Sequence, residues 1–202
     1  TGMRQRPISI LVDALKDMGC DIEYLEKRGF PPLKINGKNI QSNSVSLPAD
    51  VSSQYISSLM MLGVSLENGL EIILSSKITS LPYILMTKKI IERIGGVVKI
   101  QDAKIFIEQF KEKVIPEQFV ESDWSSASYF FSLAALSKSV KLTLSKFSED
   151  SLQGDSRLID MYKKFGVETI FKDDKIILTK NNKSLPKSIH LNLIDNPDLA
   201  QT

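Results

Sequence analysis

Apolar residues recur along this chain at two spacings, one typical of helices and one typical of strands. The polar pair Ser52 and Ser53 precedes an apolar run at helical spacing that reaches Leu62, so a helix is predicted there with Ser52 or Ser53 as its N-cap. The start of a helix gathers free backbone N–H groups and the positive end of the helix dipole, which suit a phosphate or a carboxylate. Capping alone would also explain the serines, so this stretch leaves both interpretations open.

A unit of one helix, a closing glycine and a pair of strands is predicted three times. The closing glycines are Gly19, Gly95 and Gly166, and each suits the left-handed position that follows a helix. Their nearly equal spacing indicates an internal repeat. The other predicted elements are strands at Leu70–Leu74, Val140–Leu144 and Ile189–Leu193 and a helix at Trp124–Leu136.

Each repeat is predicted to run strand, helix, strand, helix, strand, strand, which implies layered α/β packing with helices covered by sheets. The segment Lys113–Gln118 contains Pro116 and follows a complete unit, so we expect the chain to cross there from one domain to another. The predicted domains are residues 1–119 and 120–202.

Composition narrows the classes of function. Of the 202 residues, 42% are hydrophobic and 25% are charged, as in ordinary globular proteins. The 26 basic and 24 acidic residues are scattered, which disfavours a nucleic-acid-binding surface. One cysteine, Cys20, and one histidine, His190, exclude an internal disulfide and a usual zinc site. The single cysteine fits a reducing cytoplasm, and no apolar run has the length of a membrane span. We expect no metal or other cofactor.

Further polar residues lie at predicted helix starts. Ser80 precedes Pro82 and Tyr83, and Arg6 precedes Pro7, which suits the first turn of a helix. The helix dipole disfavours an arginine at that position, so Arg6 is a candidate for bidentate binding of a carboxylate or phosphate, with a solvated charge as the alternative. If several such helices point the same way, their dipoles add at one anion-binding surface.

Near its end the chain reaches Pro197 and Asp198, where a helix is predicted to begin. Asp198 could cap that helix or act as a base. Cys20 and His190 are interpreted as packing and strand residues. Because the chain starts at Thr1 and stops at this helix, we expect it to be part of a longer protein.

Six motifs, taken in order, carry a resemblance to a known family. They are Arg4-Gln5-Arg6-Pro7-Ile8, Ser52-Ser53-Gln54-Tyr55, Ser80-Leu81-Pro82-Tyr83-Ile84, Asp123-Trp124-Ser125-Ser126-Ala127-Ser128-Tyr129, Ser151-Leu152-Gln153-Gly154-Asp155 and Pro197-Asp198. Together they resemble the 5-enolpyruvylshikimate-3-phosphate synthases, or 3-phosphoshikimate 1-carboxyvinyltransferases, over essentially the whole chain.

The resemblance implies two inside-out α/β barrel domains built of βαβαββ units, with this chain as the middle of the enzyme. It implies transfer of the enolpyruvyl group of phosphoenolpyruvate to the 5-hydroxyl of shikimate 3-phosphate, with release of phosphate, through a tetrahedral intermediate and without a metal. The full-length enzyme would be a monomer. The implied roles are shikimate 3-phosphate binding by Ser52, Ser53, Gln54, Ser80 and Tyr83, phosphoenolpyruvate binding by Arg6 with Gln54, and proton abstraction by Asp198.

The family's other cationic motifs lie outside these 202 residues, so we expect the chain alone to be inactive. One alternative is an enolpyruvyl transferase that acts on UDP-N-acetylglucosamine, although Cys20 does not lie in the loop expected for that enzyme's reactive cysteine. Another is a non-catalytic module of α/β repeats in which the polar helix starts are only caps.

Overall fold

The computed structural model describes residues 2–50, 52–111, 117–180 and 185–202. These residues form five α-helices: α1 (Ser9–Asp17), α2 (Ser53–Gly63), α3 (Leu81–Arg93), α4 (Trp124–Leu136) and α5 (Leu158–Lys163). They also form nine strands: β1 (Asp21–Tyr24), β2 (Leu33–Asn36), β3 (Ser44–Leu47), β4 (Leu70–Leu74), β5 (Val98–Gln101), β6 (Lys104–Ile107), β7 (Lys141–Ser145), β8 (Val167–Lys172) and β9 (Lys175–Lys180). Short 3-10 helices occupy Gly2–Gln5, Gly154–Arg157 and Pro197–Gln201.

The strands form three sheets. β1 and β2 make an antiparallel pair. A four-stranded sheet has the order β3-β4-β6-β5, in which β3 and β4 are parallel, with α2 as their crossover, and the other pairs are antiparallel. A three-stranded antiparallel sheet has the order β7-β9-β8.

The internal repeat is visible in these sheets. β3, α2, β4, α3, β5 and β6 form one complete βαβαββ unit, and α4, β7, α5, β8 and β9 follow the same order after its first strand. In both repeats the last strand is the middle one of three antiparallel strands: β6 lies between β4 and β5, and β9 lies between β7 and β8. The three closing glycines have φ angles of 96°, 95° and 81°, in the left-handed region that glycine enters without a Cβ penalty. The predicted repeat and its closing glycines are therefore confirmed.

The chain divides into two compact units. The first comprises Thr1–Thr79 and Thr87–Ile115, and the second comprises Ser80–Met86 and Pro116–Thr202. α3 thus contributes its first turns to the second unit and the remainder to the first. The predicted crossover at Pro116 lies outside the described residues, so the boundary between residues 1–119 and 120–202 stays a prediction.

Each unit has its own apolar core. In the first, the buried face of α2 packs with the alternating buried residues of β4, and Ile56, Leu59 and Ile72 are fully buried. In the second, Trp124 of α4 is fully buried, and its ring meets Phe147 edge to face with 4.8 Å between centroids. Among the described residues, no helix has the length and apolarity that a membrane crossing requires.

Two predicted elements are wrong. Pro7 does not lie in a helical turn, because α1 begins only at Ser9 and the Pro7 carbonyl accepts a hydrogen bond from the Tyr55 hydroxyl. The segment Ile189–Leu193 forms no strand in the described part of the chain. There the Asn192 side chain accepts from the Ile194 N–H in a local turn, and Leu193 packs against the core of the second unit.

Candidate functional site

The first turn of α2 is the candidate anion-binding element of the first unit. Ser52 is the N-cap, and its side-chain oxygen accepts from the Gln54 N–H at 3.3 Å, which confirms the predicted capped helix start. Ser52 and Gln54 are exposed, whereas Ser53 is buried. A capping hydroxyl accepts through a lone pair and keeps its own proton, so Ser52 can still donate to a ligand.

The residues before α2 are held by the segment that follows strand β4. The Ser76 hydroxyl donates to Asp50 Oδ1 at 2.8 Å and accepts from the Ala49 N–H at 2.7 Å. The Thr79 N–H donates to the Ala49 carbonyl at 3.2 Å. These bonds fix the approach to the helix start, so the free N–H groups of the first turn have a defined direction.

The segment that carries Arg6 is joined to this element by Tyr55. The Tyr55 hydroxyl, in the first turn of α2, donates to the Pro7 carbonyl at 2.6 Å and so ties the chain next to Arg6 to the helix start. Arg6 is exposed and lies in the bend between a 3-10 helix and α1, not at a helix start as predicted. Among the described residues Arg4 pairs with Glu26 at 2.7 Å, but Arg6 has no carboxylate within 4.0 Å. Its guanidinium is therefore available to an anionic ligand.

The second unit brings two predicted site residues, Tyr83 and Asp198, into contact. The Tyr83 hydroxyl lies 3.3 Å from Asp198 Oδ2 and 3.2 Å from each carboxylate oxygen of Asp155. Ser80 immediately precedes α3, and its carbonyl accepts from the Tyr83 N–H at 3.2 Å. Ser80 has a φ of 54°, which is uncommon for a residue with a side chain and typical of functional loops.

Asp155 is the buried centre of this group. Its Oδ2 accepts from the Ser125 hydroxyl at 2.6 Å, and its Oδ1 accepts from the Asn196 side-chain amide at 3.1 Å. Asp155 and Asn196 are both almost completely buried, whereas Asp198 is exposed. Burial and the charges of Asp155 and Asp198 raise the pKa of the Tyr83 phenol well above its ordinary value, so Tyr83 stays protonated at neutral pH.

The loop before Asp155 is joined to the start of α4 by the Gln153 side chain. Its amide oxygen accepts from the Trp124 N–H at 2.9 Å, and its amide nitrogen donates to the Ser122 carbonyl at 2.9 Å. Gly154 is required here, because a Cβ at this position would lie 2.5 Å from Cβ of Pro82. The close approach of Gly154 to Pro82 brings Asp155 within reach of Tyr83.

Asp123 caps α4, as expected for its polar start. Its Oδ1 accepts from the Ser125 N–H at 2.9 Å, and its Oδ2 accepts from the Ser126 hydroxyl at 2.7 Å. Partial burial opposes ionisation of Asp123, but these hydrogen bonds outweigh it and lower the pKa of the carboxyl group. The serines of α4 are thus engaged within the protein, as in a capped and packed helix.

The predicted site residues therefore fall into two groups. Ser52, Ser53, Gln54 and Arg6 belong to the first unit, and Ser80, Tyr83 and Asp198 belong to the second. Asp198 does not cap the last 3-10 helix, because its N-cap is Asn196.

Sequence reasoning assigned no role to three residues that organise these groups: Tyr55, Asp155 and Asn196. Tyr55 and Asp155 stand inside quoted motifs, so a polar residue next to a ligand motif was the available signal. Asn196 offers a weaker signal, because an asparagine before a proline is common at turns.

Comparison with known proteins shows the family to which this chain belongs. The family model for EPSP synthase (3-phosphoshikimate 1-carboxyvinyltransferase) matches residues 1–202. The chain belongs to the EPSP synthase family. A 3-phosphoshikimate 1-carboxyvinyltransferase of Bacteroides fragilis strain YCH46 is 40% identical over 201 residues, which cover 99% of this chain and 48% of that protein. The protein of the same name from Colwellia psychrerythraea is 36% identical, with 99% and 46% covered.

Solved structures show the same fold. An EPSP synthase from Acinetobacter baumannii matches with a TM-score of 0.63 at 20% identity, covering 98% of this chain and 46% of that one. The enolpyruvyl transferase NikO from Streptomyces tendae matches with a TM-score of 0.59 at 11% identity, covering 86% and 42%. The predicted inside-out α/β fold of the EPSP synthase family is therefore confirmed. The chain spans about half the length of the curated relatives it matches.

Proposed function

We propose that this chain supplies part of the active site of an enzyme that transfers the enolpyruvyl group of phosphoenolpyruvate to the 5-hydroxyl of shikimate 3-phosphate and releases phosphate. The enzyme would act in the cytoplasm, in the synthesis of chorismate and the aromatic amino acids. The observation that carries the proposal is the family match over residues 1–202. The local geometry at α2 and around Tyr83 supports it.

The first turn of α2 suits shikimate 3-phosphate. In the proposal the exposed hydroxyl of Ser52, the Ser53 hydroxyl and the Gln54 amide donate to the substrate, while the helix dipole favours its phosphate. Ser53 is buried with 8% of its surface exposed, so a ligand would have to reach it from the helix start.

Arg6 suits phosphoenolpyruvate, which carries a carboxylate and a phosphate. A guanidinium donates two parallel hydrogen bonds to either group. The bond from Tyr55 to Pro7 holds the neighbouring backbone next to α2, so Arg6 would act close to the amide of Gln54, which we propose contacts both substrates.

Asp198 is proposed to take the proton of the attacking 5-hydroxyl. Its carboxylate is exposed, as a base that meets a substrate must be, and one of its oxygens contacts the Tyr83 hydroxyl at 3.3 Å. Tyr83 and Ser80 would contact shikimate 3-phosphate beside it. The 5-oxygen then bonds to C2 of phosphoenolpyruvate while C3 takes up a proton, which gives a tetrahedral intermediate. That intermediate loses phosphate and one proton of the new methyl group to form the enol ether.

Measurement of phosphate release with both substrates tests the proposal. A full-length synthase that carries these 202 residues should release phosphate only when both substrates are present, and the 202-residue chain alone should release none. Absence of activity in the full-length protein would overturn the proposal, and turnover by the chain alone would overturn the expectation that its cationic partners lie elsewhere.

Thermal unfolding of the full-length protein separates this proposal from its alternatives. Its melting temperature should rise with shikimate 3-phosphate, because a ligand that binds only the folded state stabilises it. A rise with UDP-N-acetylglucosamine alone would support the other transferase class, and no rise with either ligand would support the non-catalytic module.

A further inference from the structure

Asp155 is a buried carboxylate to which the proposed reaction gives no role. It lies in the 3-10 helix Gly154–Arg157 of the second unit, and 2% of its surface is exposed. Its described partners are all neutral donors: the phenol of Tyr83, the hydroxyl of Ser125 and the amide of Asn196. Burying a charge is unfavourable unless its oxygens are well hydrogen-bonded, so an apolar residue would serve packing better. The arrangement therefore calls for a polar role.

The Tyr83 hydroxyl has one proton to donate, but three carboxylate oxygens lie within hydrogen-bond distance of it. Both oxygens of Asp155 lie 3.2 Å away, and Asp198 Oδ2 lies 3.3 Å away. A phenol donates one proton and accepts through its lone pairs. While Tyr83 donates this proton to Asp155, it cannot also donate it to Asp198. Asp155 therefore determines the direction in which the Tyr83 hydroxyl points, and with it whether Asp198 receives the proton of that hydroxyl.

Asn196 links Asp155 to the backbone that carries Asp198. The Asn196 side chain is buried and donates to Asp155 Oδ1 at 3.1 Å. Its backbone N–H donates to the Leu193 carbonyl at 3.0 Å, and its carbonyl accepts from the Leu199 N–H at 3.1 Å. Asn196 is also the N-cap of the 3-10 helix Pro197–Gln201. A bond to its side chain thus fixes the start of the helix on which Asp198 lies.

We propose that Asp155 is a positioning residue that orients the Tyr83 hydroxyl and, through Asn196, fixes the turn that presents Asp198. Ser125 completes its set of donors from α4, so the carboxylate joins three separate parts of the second unit. The consequence for catalysis rests on the proposed function, in which Asp198 is the base. The positioning itself does not, and it can be measured without substrate.

Asp155→Asn tests the positioning. The variant keeps the size of the side chain and removes its charge. Its amide oxygen can still accept from Asn196, and its N–H groups can donate to Ser125, whose hydroxyl can turn to accept. With the tyrosines labelled at Cζ, NMR spectra of the full-length synthase at neutral pH follow each phenol.

We expect Asp155→Asn to shift the Tyr83 resonance at neutral pH, because the carboxylate that accepts from its hydroxyl is replaced by an amide. Tyr24 is the internal control, since burial and Asp13 raise the pKa of its phenol in the first unit and both remain. Asp160→Asn, at an exposed carboxylate on α5, is the matched control variant and should leave Tyr83 unchanged. A folded Asp155→Asn variant with an unaltered Tyr83 resonance would overturn the proposal.

The second measurement uses the full-length synthase. A misplaced base lowers the rate of the chemical step, so Asp155→Asn should lower kcat roughly 10- to 100-fold. The KM values for both substrates should change far less. A variant that only loses folded protein would lower kcat in proportion to its active fraction and keep the parent's Tyr83 resonance, which would contradict positioning. If the parent enzyme has no activity, the proposed function fails, and the Tyr83 resonance still decides the role of Asp155.

Discussion

At the scale of single residues, substitutions at Ser52 and Ser53 should affect stability and substrate binding differently. Ser52 caps the helix through a bond of 3.3 Å, so Ser52→Ala should lower the free energy of unfolding by about 0.5–1 kcal/mol. Ser53 is not the cap, so Ser53→Ala should lower the free energy of unfolding by less than Ser52→Ala does. In the full-length enzyme it should weaken shikimate 3-phosphate binding about tenfold, because one hydrogen bond to the ligand is lost. Urea unfolding and titration calorimetry measure the two effects. If Ser53→Ala lost stability and kept its affinity, the binding role of Ser53 would be wrong.

Asp123 gives a second test at this scale, through the pH dependence of stability. Its pKa is lower in the folded chain, so the unfolded chain takes up the proton first as pH falls. The stabilisation that ionised Asp123 gives to the folded state is complete above the unfolded-state pKa. It is lost as pH falls through the folded-state pKa, from about pH 4 downwards. Asp123→Ala should lower the free energy of unfolding by about 1 kcal/mol at pH 7 and by less at pH 3.

Asp123→Asn is the control for the charge. Asparagine caps helices about as well as aspartate, so this variant should keep most of the stability at pH 7 and lose the acid-sensitive part. Equal losses for Asp123→Ala at pH 7 and pH 3, measured by urea unfolding, would refute an ionised cap.

At the scale of elements, Tyr55 joins α2 to the segment that carries Arg6. Tyr55→Phe removes the donor to the Pro7 carbonyl and should cost about 1 kcal/mol of stability. Because Arg6 is then less well held, the KM for phosphoenolpyruvate should rise severalfold while kcat changes little. Steady-state kinetics of the full-length enzyme decide this. Tyr129→Phe, at an exposed tyrosine of α4, is the control and should leave both constants unchanged.

The elements that sequence reasoning predicted best are those whose local signals agree. α4 and β4 have the predicted bounds, because a cap precedes the helical pattern in one and a short alternating run defines the other. The strand predicted at Ile189–Leu193 failed because an alternating pattern does not supply a partner strand. Leu193 packs against the core, whereas Leu191 is exposed, and the backbone turns at Asn192.

The candidate site was predictable only in part for a related reason. Local motifs predicted the cap at Ser52 and marked Tyr83 and Asp198, since each carries its own pattern. The contact of Tyr83 with Asp155 joins residues 72 positions apart and depends on the close approach of Gly154 to Pro82. Spacing along a sequence does not reveal such a contact. The buried centre of the second group therefore emerged only from the fold.

At the scale of the whole molecule, the two compact units each have a core, so we expect them to unfold as separate cooperative transitions. Trp124, the single tryptophan, is fully buried in the second unit, so its fluorescence reports that unit alone. Far-UV circular dichroism reports both.

Paired core substitutions test this independence. Ile72→Ala, in strand β4, should lower the free energy of unfolding of the first unit by about 2–5 kcal/mol. It should therefore shift only part of the circular dichroism transition. Ile176→Ala, at an equally buried position of β9, should move the fluorescence midpoint to lower urea. Because the two side chains and their burial match, the comparison isolates the unit in which the cavity is made. A fluorescence midpoint that moved equally in both variants would mean that the units unfold together, and the chain would then behave as one cooperative domain.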